Sequence, residues 1–141
     1  MPAQKIKPWR GYPSANVVHA MRVHVNMASP SPSLGQVALT AGTRFHIGTL
    51  PAGAFVLPAS KHVLVAFNGT TPTVDVGTET VPGAFVPSAA IAPGAVAFAG
   101  GLSGPNHGFQ ASETPVYIVL GGTGITAGEV DVVLPFYISK D

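Results

Sequence analysis

The side chains in this 141-residue sequence best suited to acid–base or metal chemistry are five histidines, at positions 19, 24, 46, 62 and 107, and six carboxylates. Their spacing works against both uses. His19 and His24 lie five residues apart. On a strand they point to opposite faces, so they cannot converge on an ion as an i, i+2 pair does. His24 meets His46 or His62 only if neighbouring strands bring them together, and surface or interface histidines are the simpler expectation. Glu129 and Asp131 share a face two residues apart, which resembles half of an acid–base pair. Next to a turn, they are expected to form the solvated edge of the last strand. Gly121-Gly122-Thr123-Gly124-Ile125-Thr126-Ala127-Gly128 has the glycine density of a phosphate loop. It lacks the Lys-Ser/Thr of one and opens no helix, so it is expected to be a turn. Asn68-Gly69-Thr70 is formally a glycosylation sequon, but Asn-Gly suits a tight turn better. No Gly-x-Ser-x-Gly or His-Glu-x-x-His pattern occurs. The expectation is a protein without catalytic residues, metal or cofactor, and not an enzyme.

Aromatic residues offer a second kind of chemistry. Trp9, Tyr12, Tyr117 and Tyr137 would suit a sugar-stacking platform, which would make the chain a carbohydrate-binding module. Against this, Trp and Tyr are also common interface anchors. The favoured expectation has Trp9 anchoring an N-terminal arm and the tyrosines filling the core or an interface.

Composition narrows the class. The chain carries 7 Lys+Arg and 6 Asp+Glu, only 9% of its residues, where ordinary domains hold about 25%. It is nonetheless 46% hydrophobic, with a formal net charge of +1. Interspersed charge is what keeps a lone monomer dispersed, so this surface must be covered by small polar residues or buried against other chains. An assembled structural protein is indicated. With no cysteine there is no disulfide or thiolate site. No apolar run is long enough for a membrane helix, and Met1–Pro13 lacks the apolar segment of a secretory signal. Synthesis in the cytoplasm and no membrane partner are expected. Arg22, Arg44, Lys61 and Lys140 are scattered, so direct nucleic-acid binding is not expected. The one basic cluster, Lys5, Lys7 and Arg10, is interleaved with Pro8 and Trp9. It is either an exposed polar terminus or an arm that grips a neighbouring protein.

Such residues must be positioned by strands, because helical periodicity is nearly absent and Pro or Gly interrupts almost every ten residues. Val18–Met27 alternates as a half-buried strand, with Met21, Val23 and Val25 on one parity. Val37–Leu39 and Arg44–Leu50 are expected to pair across the turn Thr40-Ala41-Gly42-Thr43. Pro51-Ala52-Gly53 turns into Phe55–Leu57. In Lys61–Phe67, the residues Val63, Val65 and Phe67 share a face. Asn68-Gly69 then suggests a hairpin to a return strand at Thr73–Val76. Residues 83–108 are the least regular stretch, strand-like near Val96–Phe98. Val116, Ile118 and Leu120 share one face of the next strand. The last strand alternates Val130, Val132, Leu134, Phe136 and Ile138. About eight short strands with regular turn signals predict an all-β fold: an antiparallel β-sandwich of the jelly-roll or Greek-key kind. Two parts are expected, an N-terminal arm over residues 1–15 and the β-sandwich domain over 16–141.

The run from Ile47 to Val56, which contains Leu50-Pro51-Ala52-Gly53, is followed by a second run from Val63 to Thr78. Together with the closing Thr126-Ala127-Gly128-Glu129-Val130 strand, these resemble small β-rich structural virion proteins of tailed bacteriophages. Within that class the size resembles capsid cement or decoration proteins. The resemblance implies a protein on the capsid surface of the virion that clamps major capsid protein subunits and stabilises the mature head. It also implies a homo-oligomer, a trimer first and a dimer next. The arm residues Lys5, Lys7, Trp9, Arg10 and Tyr12 are then the expected contacts with the capsid or another partner. A tail, adaptor or head-fibre subunit is the alternative within the virion.

Overall fold

A computed structural model describes residues 18–90, 98–101 and 109–138. Among them the chain forms β1 (His19–Asn26), a 3-10 turn (Pro32–Leu34), β2 (Gln36–Val37), β3 (Arg44–Leu50), β4 (Ala54–Val56) and β5 (Ala59–Val65). Then follow β6 (Thr70–Gly77), β7 (Val86–Ala90), β8 (Phe98–Gly101), β9 (Phe109–Gln110), β10 (Thr114–Thr123) and β11 (Glu129–Ile138). The expected arm, 1–15, lies outside the described residues.

The strands form two sheets. In the first, β11 runs through the middle, with β1 antiparallel on one side and β5 and β4 in succession on the other. Outside these lie β2 beside β1, β8 beside β5 and β9 beside β4. The second sheet has the order β3-β10-β6-β7. Taking β4–β5 as one interrupted strand and β8–β9 as another leaves eight main strands, whose antiparallel pairing is nested. The first pairs with the eighth, the second with the seventh, the third with the sixth and the fourth with the fifth. A hairpin of four successive pairs rolled into two sheets is a jelly roll, so the sandwich expected from the sequence is present in that form.

Alternation explains the core. The inward rows Val23 and Val25 of β1, Val116, Ile118 and Leu120 of β10, and Val130, Val132 and Leu134 of β11 are all buried. They meet Val63, Phe67, Val74, Val76 and Phe85 between the sheets. β11 contains a proline despite its central place, where a missing N–H normally disrupts a ladder. The Pro135 carbonyl accepts from the Leu57 N–H at 2.9 Å, on the side where β4 gives way to β5. In an antiparallel strand a residue's N–H and C=O point the same way. The missing donor therefore faces that break, and the β1 ladder stays intact.

Four local expectations are corrected. First, β2 and β3 do not pair with each other: β2 runs parallel to β1, while β3 joins the second sheet. The turn at Thr40–Thr43 carries the chain between sheets, tied by Gly42 N–H to the Leu120 carbonyl at 2.8 Å. Second, Asn68-Gly69 is a corner between sheets rather than a hairpin. The Asn68 side chain accepts from Thr126 N–H and Ala127 N–H at 2.8 and 3.0 Å, and donates to Thr126 Oγ1 at 2.8 Å. Third, Val65 does not share the core row. The register jumps from Glu129↔Val65 to Val130↔Val63, so Leu64 is bulged and Val65 is 49% exposed. Fourth, Gly121–Thr123 is not a turn but the end of β10. Gly122, at φ +112, sits in a bulge where a Cβ would lie 2.8 Å from the Thr70 carbonyl oxygen.

Leu134 is fully buried on the strand that joins β1 to β5 and β4 in the first sheet. Leu134→Ala should therefore cost about 2–5 kcal/mol of folding stability in urea denaturation. A loss under about 0.5 kcal/mol would contradict this packing.

Candidate functional site

The two outer faces of the sandwich hold most of the charged and aromatic side chains described. On the first sheet, outward residues of β1 and β11 face each other in rows: Arg22 opposite Val133, His24 opposite Asp131, Asn26 opposite Glu129. Arg22 and His24 each reach the diagonal neighbour, a contact that long side chains make across a strand pair. Arg22 Nε lies 2.8 Å from Asp131 Oδ1, and its Nη2 lies 2.7 Å from Oδ2, a forked pair. The Asp131 hydrogen bonds and charge push the Arg22 pKa above the ordinary guanidinium value. His24 Nε2 is bonded to Glu129 Oε1, and Asn26 donates to Gln36 Oε1 at 3.1 Å.

This corrects the solvated-edge expectation for Glu129 and Asp131. β11 is the middle strand, and their side chains are only 20% and 18% exposed. They do share a face, as the spacing required. Each is already engaged by a cross-strand partner, so the two do not form an acid–base pair around a vacant centre. His24 and His62 flank Asp131 in register on either side. Two strand spacings separate them, about 10 Å, too far for one ion to bind both. Among the described residues, no three His, Asp or Glu side chains are grouped to hold a metal.

The remaining histidines lie apart. His19 stacks on Phe136 at 5.5 Å, His46 lies beside Tyr117 at 5.4 Å, and His107 is outside the described residues. His46 Nε2 is 3.2 Å from Thr49 Oγ1. Both residues are exposed, without the low-dielectric surroundings that activate a hydroxyl.

The aromatic platform does not assemble. Tyr117 is on the outer face of the second sheet, under the Arg44 guanidinium at 5.4 Å. Tyr137 is on the outer face of the first, stacked on Phe55 at 5.3 Å. The sandwich separates the two tyrosines, and neither fills the core. Lys5, Lys7, Trp9, Arg10 and Tyr12, the expected partner contacts, lie outside the described residues.

Sequence reading missed the placement of Lys61. It sits on the inward row of β5 between Ala59 and Val63, 7% exposed, opposite Val132. The available signal was its parity with Val63.

No protein-family profile and no curated protein matches the chain. A chain in the cyanophage Pam1 capsid asymmetric unit superposes with a TM-score of 0.67 at 20% identity, covering 96% of this chain and 94% of that one. The fold is one that phage capsids contain. A chain of the acidic stable capsid of Helicobacter pylori bacteriophage KHP30 gives 0.60 at 14% identity, covering 89% and 91%. One from the capsid of Ralstonia phage GP4 gives 0.54 at 20%, covering 97% and 92%. The likeness is one of fold, and it agrees with the small β-rich virion class that the sequence resembles.

Burial lowers the Lys61 pKa from its ordinary value. The charged form is penalised when folded, whereas the unfolded lysine keeps its proton to about pH 10.4. The unfolded state therefore binds more protons in that window, and stability rises with pH from the folded-state pKa up to about 10.4. Urea midpoints measured from neutral pH to about pH 10.4 should show this rise, and Lys61→Met should remove it. An equal rise in the variant would show that other groups cause it.

Proposed function

We propose that this protein is a structural component of a phage virion: a capsid cement or decoration protein that binds the outside of the major capsid lattice and stabilises the mature head. The observation that carries this reading is the reciprocal coverage of the Pam1 capsid chain, 96% against 94%. Nearly all of this chain superposes on nearly all of one chain found in a capsid.

Composition and physics support the same reading. A body with 9% charged residues suits permanent association better than free diffusion. A clamp that binds only the expanded lattice stabilises it by mass action, by about 2.7 kcal/mol per site at a hundredfold excess over Kd. Many copies add up without any one contact being strong. In this reading, residues 1–15 are an arm that contacts a neighbouring protein through Lys5, Lys7, Trp9, Arg10 and Tyr12, and residues 16–141 form the sandwich. Pro2, Pro8 and Pro13 restrict the arm and reduce the entropy lost when it docks. The surplus of apolar over charged residues favours a homo-oligomer, with a trimer the first expectation.

Copy number separates this from a tail, adaptor or head-fibre role. Quantitative mass spectrometry of purified particles should find hundreds of copies per virion. Adding the full-length protein to mature heads that lack it should raise the temperature at which they release DNA. A dozen copies or fewer, with no effect on heads, would place the protein elsewhere in the virion.

A further inference from the structure

We propose that residues 5–12 of one copy add as a strand to the outer edge of β3 in a second copy, so that arms exchanged between copies hold the oligomer together. This rests on the reading of residues 1–15 as a docking arm and names the partner of that arm.

Four observations carry it. First, β3 ends the second sheet. Among the described residues, its backbone pairs with β10 alone over Arg44–Leu50, whereas β1 across the seam is partly covered by β2 at His24 and Val25. A long open edge in a weakly charged chain is a site of strand addition unless something occupies it.

Second, apolar surface is exposed there. Phe45 is in register with the fully buried Ile118, so it faces the core row, yet it is 36% exposed. Met21 of β1 meets Gly48 of β3 across the seam, where a Cβ on Gly48 would lie 2.9 Å from the Met21 methyl. On the β1 side, Val18 is 56% and Leu34 73% exposed. On an added strand Ile6 and Tyr12 share one face and supply apolar groups to cover such a strip, while Trp9 lies on the other face.

Third, charge is segregated along the chain. Residues 1–17 contain Lys5, Lys7 and Arg10 and no acid, while residues 18–138 contain three cations against five carboxylates. Glu79, 70% exposed, lies 3.5 Å from Arg44 at the start of β3 and offsets the one Lys or Arg charge of that strand. Arm and body attract each other.

Fourth, reach is sufficient. With residues 5–12 paired, residues 13–17 leave up to about 17 Å to cross from one copy to the next, enough for copies in direct contact. Pro8 is tolerated in an added edge strand because that strand pairs on one side only. An arm-to-edge contact joins two different surfaces, so repeating it gives a ring where the rotation closes and a filament where it does not. That ring is a physical route to the trimer.

The sequence has no cysteine, so an introduced pair reports one contact. The test mixes two full-length populations, one carrying Trp9→Cys and the other Arg44→Cys, His46→Cys or Thr49→Cys, and oxidises them without heads present. At least one pairing should give a disulfide-linked band at twice the chain mass. Lys5→Glu with Lys7→Glu should weaken self-association at least tenfold by sedimentation velocity. The proposal is overturned by an absence of inter-chain links in all three pairings, by links confined to a doubly substituted single chain, or by unchanged association of the charge variant. Because no capsid is used, an arm that binds heads and not a second copy would remove this proposal and leave the cement reading standing.

Discussion

The fold depends on the insertion of the last strand between the first and the third. β11 holds β1 along one side and β5 then β4 along the other, and its inward row of Val130, Val132 and Leu134 lies under the second sheet. Without it the first sheet separates into pieces too small to bury a face. The outer row of the same strand supplies Glu129 and Asp131, which tie His24 and Arg22 across to β1. One strand thus anchors the core and organises the polar face. The pairing is also highly non-local, since residue 19 meets residue 136. Slow folding with late closure follows from that topology.

A sandwich this poor in charge has to manage its surface in other ways. Small polar residues cover part of it, and forked or diagonal ion pairs neutralise the few charges on the outer faces. What remains, among the described residues, is an open edge at β3 and exposed apolar side chains at Phe45, Phe55, Leu64 and Val65. In a freely diffusing monomer these features invite aggregation. In a particle, where each copy is flanked by neighbours, they are available for contact. In the proposed reading, the capsid-like fold, the scarcity of charge and the cationic leading segment follow from one constraint: the surface is to be shared.

Much of this was legible in the sequence, because the period-2 pattern reports which residues face inward. Val23 and Val25, Val116 to Leu120, and Val130 to Leu134 occupy the faces their alternation assigns. What the pattern does not carry is which sheet a strand joins. Asn68-Gly69 has the chemistry of a hairpin, but its amide latches onto Thr126 and Ala127, fifty-eight and fifty-nine residues away, and the chain turns a corner. A one-residue bulge at Leu64 was equally hidden, and it sends Val65 to solvent. The placement of Glu129 and Asp131 failed for the same reason: next to a glycine-rich run they look like an edge, and only long-range pairing makes their strand central. The expected contact residues Lys5, Lys7, Trp9, Arg10 and Tyr12 rest on composition, since a docking arm takes its geometry from its partner.

The central claim concerns location, and a cryo-electron microscopy map of the intact particle at subnanometre resolution tests it most directly. The account predicts jelly-roll density repeated over the outer surface of the major capsid lattice. A clean lattice, with the same density confined to the tail, neck or fibre base, would contradict it.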